Sequence, residues 1–256
     1  MPRRPDIAPD VEKADLSALF HYLGLHQAAE GYPELLTQAA KGNWPHKKLL
    51  ETLASQEAAA KRERSVQARI ATAHFPVIKT IDSFDFSFPK SIPKEQVLAA
   101  FSLDFLDRHE GFIFLGGPGT GKSHLAGALG YAACLRGVRT RFTSAIDMVN
   151  ELDTAVAAHQ LPRAMQIYRR PRLLIIDEVG YLPFDQKGSD LFFQVISARY
   201  ERASTVLTTN QPFKAWGSVF SNNTVASAII DRLAHHNELI SIIGESYRAH
   251  HRKLRR

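Results

Sequence analysis

A chain of 256 residues, 45% apolar and 23% charged, has room for one large globular domain, or for one domain with a small appendage. Its formal charge of +6 points to a polyanionic partner, nucleic acid before membrane. No apolar run reaches the ~18 residues that a membrane span needs, Met1-Pro2-Arg3-Arg4-Pro5-Asp6 has no apolar stretch behind it, and the single cysteine, Cys134, excludes an internal disulfide; the expectation is a cytoplasmic protein without membrane contact.

Residues 1–10 are proline-rich and are expected to be mobile. From Asp15 the pattern is helical, with Leu16, Leu19, Phe20 and Leu23 on one face and Gly24 as the stop. A second helix is expected over Ala28 to Lys41 and a long charged third from Pro45 to about His74. Together they predict a small all-α N-terminal domain, residues 1–75. Between residues 41 and 79, eight Lys and Arg stand against three Glu. This is either a solvated face laced with i,i+4 pairs such as Glu57–Lys61 or a surface for the DNA backbone.

Residues 76–92 form a connector, in which Phe84, Phe86 and Phe88 alternate as on an extended chain. They either pack the connector onto the next domain or wall a nucleotide base. Ser91-Ile92-Pro93 opens a helix expected to run to about His109. Phe112 to Leu115 then reads as a strand that enters a glycine-rich loop closing on Lys-Ser, followed by a helix through Leu135. This is G-x-x-x-x-G-K-S in its required strand–loop–helix setting. Side chains in such a loop would block backbone N–H groups from a phosphate, hence the glycines, and the helix start adds partial positive charge. The candidate nucleotide-binding residues are Gly116, Gly117, Pro118, Gly119, Thr120, Gly121, Lys122, Ser123 and His124. Lys122 is expected to reach the β- and γ-phosphates and Ser123 to bind Mg²⁺. The structural alternative is a plain glycine-rich turn.

Val138 to Thr143 predicts a strand, and Ser144 caps a helix over Ala145 to Ala158. Arg163, Arg169, Arg170 and Arg172 are either a solvated connecting face or part of a polyanion surface. Leu173 to Ile176 is continuously apolar, as in a parallel strand buried on both faces. Asp177 and Glu178 end it, at the edge where such sheets bind ligands. Asp177 is the second expected Mg²⁺ ligand; Glu178 is placed to orient and deprotonate a water. A helix is expected over Gly188 to Arg202, a strand over Ser204 to Asn210, a short helix from Pro212 through Trp216, a helix over Val225 to His235 capped by Thr224, and a last strand over Leu239 to Ile243. Asn210 either closes a turn or touches the γ-phosphate or its attacking water. The tail, residues 248–256, holds five Lys and Arg and no acid, as a disordered end or a DNA contact. His235-His236 and His250-His251 have no cysteine or carboxylate at ligand spacing and are not read as a metal site.

The order of Gly116 to Ser123, Leu174 to Glu178, Thr208-Thr209-Asn210 and Ile230-Asp231-Arg232-Leu233 resembles an AAA+ ATPase. Longer words narrow it: Asp177-Glu178-Val179-Gly180-Tyr181-Leu182-Pro183, Arg199-Tyr200-Glu201-Arg202-Ala203-Ser204-Thr205, Thr209 to Gly217, Gly244-Glu245-Ser246-Tyr247-Arg248 and Phe75-Pro76-Val77-Ile78-Lys79-Thr80. These resemble the IstB family of transposition helpers, relatives of the helicase loader DnaC. The resemblance implies an α/β P-loop NTPase over residues 93–247, with a parallel five-stranded sheet between helices; little chain follows the last strand, so the usual C-terminal lid of AAA+ proteins is expected to be absent. It implies that ATP, with Mg²⁺, is hydrolysed to ADP and phosphate, with Lys122, Glu178, Asn210 as first sensor and Arg232 as arginine finger in a neighbouring subunit's site. Arg248 stands where a second sensor would. The implied partners are further copies of the chain in an ATP-dependent homo-oligomer, double-stranded DNA bound with little sequence preference, and an IstA-type transposase. The helical N-terminal domain would share the DNA and partner contacts. The alternatives are a DnaC-like replicative helicase loader, a small-molecule kinase and a binding-only module. An Asp-Glu pair with a strand-end Asn favours water over a kinase acceptor, and Glu178 argues against binding alone.

Overall fold

A computed structural model describes residues 14–254, with side chains described through residue 250. The proline-rich start, and the tail side chains beyond His250, lie outside the described residues. The chain divides into two units, Met1–Gln67 and Ala68–Arg256.

In the first unit, α1 (Leu16–Leu23) begins on Asp15, whose carboxylate accepts the Ala18 N–H at 2.7 Å, and ends at Gly24. Helix α2 (His26–Lys41) has no side-chain cap of its own. A residue of α3 (His46–Ala73) supplies it: Glu57, only 5% exposed, accepts the Ala28 N–H at 2.9 Å. Arg64 pairs with the same carboxylate at 2.8 Å. The Glu57–Lys61 surface pair expected from spacing is therefore not the one formed, because the Glu57 face of α3 is turned inward. Burial alone would raise the Glu57 pKa, but the Ala28 amide and Arg64 hold it below the ordinary carboxylate value.

The second unit is built on five parallel strands, β1 (Gly111–Gly116), β2 (Thr140–Ser144), β3 (Leu173–Val179), β4 (Ser204–Thr209) and β5 (Asn237–Ile242), in the order β2-β3-β4-β1-β5. Successive side chains feed opposite cores. On β3, Leu173 and Ile175 join one core with Phe112, Phe114, Leu125 and Leu129; Leu174 and Ile176 join the other with Met148, Phe192 and Trp216. The first core lies under α4 (Lys94–Ala100) and α5 (Lys122–Leu135). The second is covered by α6 (Ala145–Ala157), α7 (Leu161–Arg169), α8 (Gln186–Arg199) and α9 (Asn223–His236).

Several expectations are corrected. Helix α4 stops at Ala100 rather than near His109, because Leu103 and His109 take left-handed φ values of 67° and 58° around a short 3-10 turn. The connector is not extended: it holds a 3-10 turn at Ile81–Ser83. Helix α7 was not anticipated; Ala164, Met165 and Tyr168 bury one side of it, leaving Arg163 and Arg169 exposed. Asn222, not Thr224, caps α9, accepting the Val225 N–H at 2.8 Å. The start of the basic tail is helical, α10 (Tyr247–Leu254). No helix among the described residues is long and apolar enough to cross a membrane.

Candidate functional site

β1 delivers the chain into the glycine-rich loop, and α5 begins at Lys122. Gly119 and Gly121 have φ of 77° and 97°, a region L side chains rarely adopt. Space forbids a side chain as well: a Cβ at Gly119 would lie 2.2 Å from Ser246 Oγ, and one at Gly121 would lie 2.5 Å from Phe84 Cε2. The loop is braced from within by Thr120 Oγ1, which donates to Gly117 O at 2.9 Å, and from outside by the Tyr247 N–H, which donates to Gly119 O at 3.0 Å.

Lys122 is 4% exposed, and its Nζ donates to Gly117 O at 2.7 Å. Burial pushes its pKa down; Asp177 and Glu178 pull it up, and Arg248 opposes them. Ser123 Oγ donates to Asp177 Oδ1 at 2.9 Å. Asp177 lies near the C-terminal end of β3 at 8% exposure and also accepts from the Thr208 hydroxyl. Thr208 Oγ1 in turn accepts the Glu178 N–H at 3.0 Å. Glu178 itself has φ 61°, and the β3–β4 register shifts between Ile176 and Val179. That irregularity re-aims the strand end, as bulges beside sites commonly do, and the Glu178 side chain lines the same cavity as Lys122 and Ser123.

The cavity measures about 670 Å³, within the range of nucleotide-sized ligands. Phe84 and Phe88 of the connector wall it together with the loop, Tyr181 and Arg248. His124 lines the same cavity. Its Nε2 meets Thr80 O at 3.0 Å and Ser83 Oγ at 3.2 Å, and its ring packs edge-on against Phe84. Burial, with Lys79 nearby, keeps the His124 pKa low despite the Thr80 contact. Tyr181 is shifted up, by burial first and then by the charges of Glu178 and Asp177.

Asn210 follows β4 directly, beside the loop strand and the acid strand. Its Oδ1 is buried and has no hydrogen-bond partner among the described residues. It is not on the cavity wall. Arg232 is elsewhere, on α9: it donates to Ala228 O at 2.9 Å, and its guanidinium lies 4.8 Å from the Phe193 ring centre. Among the described residues, the loop, Asp177 and Glu178 therefore meet at one place, Asn210 stands next to it, and Arg232 does not reach it. Sequence reasoning missed Thr208. Its one signal is its position two residues before Asn210, near the C-terminal end of β4.

The donor chemistry fits the ligands the loop implies. A hydroxyl and a carboxylate in contact offer two hard oxygens to a divalent cation. A glycine loop with a buried lysine at a helix start suits phosphate.

Residues 18–255 match the family described as IstB-like ATP binding protein. The chain belongs to that family. It is 38% identical over 234 residues to the ATP-binding protein of insertion sequence IS5376 from Geobacillus stearothermophilus, covering 91% of this chain and 93% of that one. It is 38% identical over 234 residues to the IS21 counterpart from Pseudomonas aeruginosa, covering 91% and 88%. Among solved structures, the DnaC helicase loader aligns with a TM-score of 0.54 at 22% identity, over 64% of this chain and 96% of that chain. AMPPCP-bound DnaA from Aquifex aeolicus aligns at 0.54 and 21%, over 64% and 49%. These likenesses establish the AAA+ P-loop fold, preceded by a helical region. The family, the loop and the fold make this an ATP-binding protein of the insertion-sequence class.

Proposed function

We propose that this family member hydrolyses ATP to ADP and phosphate in the cytoplasm, and uses the cycle to control its assembly on double-stranded DNA and its contact with an IstA-type transposase. The observation that carries the reading is the hydrogen-bonded set Ser123–Asp177–Thr208–Glu178, of which Ser123 and Glu178 line the cavity beside Lys122. It sets a cation-ligand pair beside a carboxylate that can take a proton. A phosphate-binding loop alone needs no such carboxylate.

The loop N–H groups and the start of α5 receive the phosphates, and Lys122 exchanges Gly117 O for β- and γ-phosphate oxygens. Ser123 and Asp177 would hold Mg²⁺, which would supply charge neutralisation to the phosphates. Glu178 accepts a proton from the attacking water. As the new oxygen–γ-phosphorus bond forms, the bond to the bridging oxygen breaks and ADP leaves. The unpartnered Asn210 amide oxygen, an acceptor, supports a contact with that water, while a contact with the γ-phosphate would fall to the amide NH₂. Arg232, lying away from its own cavity, supports action in the site of a neighbouring copy, so the assembly is a homo-oligomer with shared sites. Arg248 on the cavity wall supports a second contact to the phosphates. Phe84 and Phe88 wall the base, and His124 contributes by holding Thr80 and Phe84. The basic helical domain, taken as residues 1–75, and the basic tail, residues 248–256, are the proposed DNA contacts.

Glu178→Gln tests the reading. The variant binds ATP and double-stranded DNA, while phosphate release falls about 10²–10⁴-fold; unchanged turnover removes Glu178 from its role. DNA affinity falls steeply with salt, and a flat response discards the polyanion surface. Preference for single strands, with binding to a replicative helicase, would transfer the reading to a DnaC-like loader.

A further inference from the structure

We propose that Glu201, His235 and His236 form a transition-metal site, separate from the nucleotide cavity. In the sequence the histidine pair has no third ligand. The fold supplies one, because the turn after α8 comes back against the C-terminal end of α9. One ligand atom from each of the three side chains lies within 4.8 Å of the others. His236 Nε2 is 3.4 Å from Glu201 Oε1, and the two imidazole centres are 4.1 Å apart. Glu201 takes φ 57°, a left-handed conformation uncommon for a residue with a side chain, and this turn holds it beside the histidines.

Two imidazoles and a carboxylate are the donor set of three-ligand zinc sites, with the remaining position left to water. Imidazole also favours the divalent metals near zinc over magnesium or calcium. Tetrahedral bonds of about 2.0 Å require ligand atoms about 3.3 Å apart. Glu201 and His235 are exposed and His236 half-buried, so small side-chain rotations close that distance. An outer contact is already made: the Tyr200 hydroxyl lies 2.7 Å from His235 Nδ1 and orients that ring. The bound metal ties the α8–β4 turn to the last turn of α9. Arg232 lies on the preceding turn of α9, with its guanidinium 6.0 Å from the Tyr200 ring, so the clamp also steadies the aromatic surface beneath that arginine.

The test is a Zn²⁺ titration of the full chain without nucleotide, against a chromophoric chelator as competitor. The expected result is one tight equivalent, weakened more than about tenfold in each of Glu201→Gln, His235→Ala and His236→Ala, at least the loss typical of removing even an outer-shell partner. His21→Ala/His26→Ala is the control: those rings also lie close, 5.7 Å apart, and their removal leaves the tight equivalent in place. ATP affinity reports that each variant is folded. No tight equivalent in the wild-type chain, or one that survives any of the three substitutions, overturns the site. The readout involves no hydrolysis, so its failure leaves the proposed ATPase standing, and failure of the ATPase leaves the metal site standing.

Discussion

Replacing Thr208 with valine keeps the shape of a fully buried side chain and removes one hydroxyl. That hydroxyl donates to Asp177 Oδ1 and accepts the Glu178 N–H. Its loss leaves a backbone N–H without a partner, at about 1–3 kcal/mol, and takes from Asp177 a charge-assisted bond of about 1.5–3 kcal/mol. The added methyl returns about 0.8 kcal/mol, so the chain loses about 2–5 kcal/mol of stability. The same bond holds Glu178 in its left-handed conformation. If about 2 kcal/mol of that loss falls on the placement of Glu178 in the transition state, kcat drops about 30-fold. KM for ATP changes little, because the phosphate-loop contacts are untouched. Steady-state phosphate release, with urea unfolding in parallel, measures both effects. Thr208→Ser keeps the hydroxyl and recovers most of the rate. Full kcat in Thr208→Val, or a serine variant as impaired as the valine one, refutes the positioning argument.

Arg232→Ala lowers hydrolysis by about 10³-fold or more. Mixing it with Lys122→Ala restores up to about a quarter of wild-type activity, since heterologous contacts pair an intact site with an intact arginine; no recovery on mixing sinks the shared-site idea. The Lys122 pKa is depressed in the free protein by burial, and bound phosphates raise it. ATP affinity is therefore highest below the free-state pKa and falls as pH rises through it. Lys122→Arg loses that dependence, and calorimetry over a pH series checks the sign. In the first unit, Glu57 has a lowered folded pKa, so its stabilisation is present above the unfolded value of about 4.5 and is lost as pH falls through the folded one. Glu57→Gln costs about 1–2 kcal/mol at neutral pH and speeds hydrogen exchange at the Ala28 amide; unchanged exchange there removes Glu57 as the cap.

Legibility in the sequence followed how local each cause is. Gly116 to Ser123 specify a turn and a helix start within eight residues, and Leu173 to Glu178 specify a buried strand ending in acids. Helix ends were less legible where the chain leaves its pattern without proline or glycine. Leu103 and His109 turn left-handed between ordinary helix formers, so α4 is shorter than its composition suggests. α7 was hidden because its apolar face is short, Leu161, Ala164, Met165 and Tyr168, among a run of arginines.

The sequence by itself determined the phosphate loop, the acid-ended strand, the helical character of the first unit and the class of ligand, because spacing along one segment sets backbone geometry and donor type. The tertiary structure decided which segments meet. The order β2-β3-β4-β1-β5 brings Ser123, Asp177 and Thr208 together. It decided that Glu57 caps another helix instead of pairing with Lys61, that Phe84 presses on Gly121, and that Glu201 reaches His235 and His236. Such contacts join residues far apart in the chain, and in the second unit burying both faces of the sheet brings them into register.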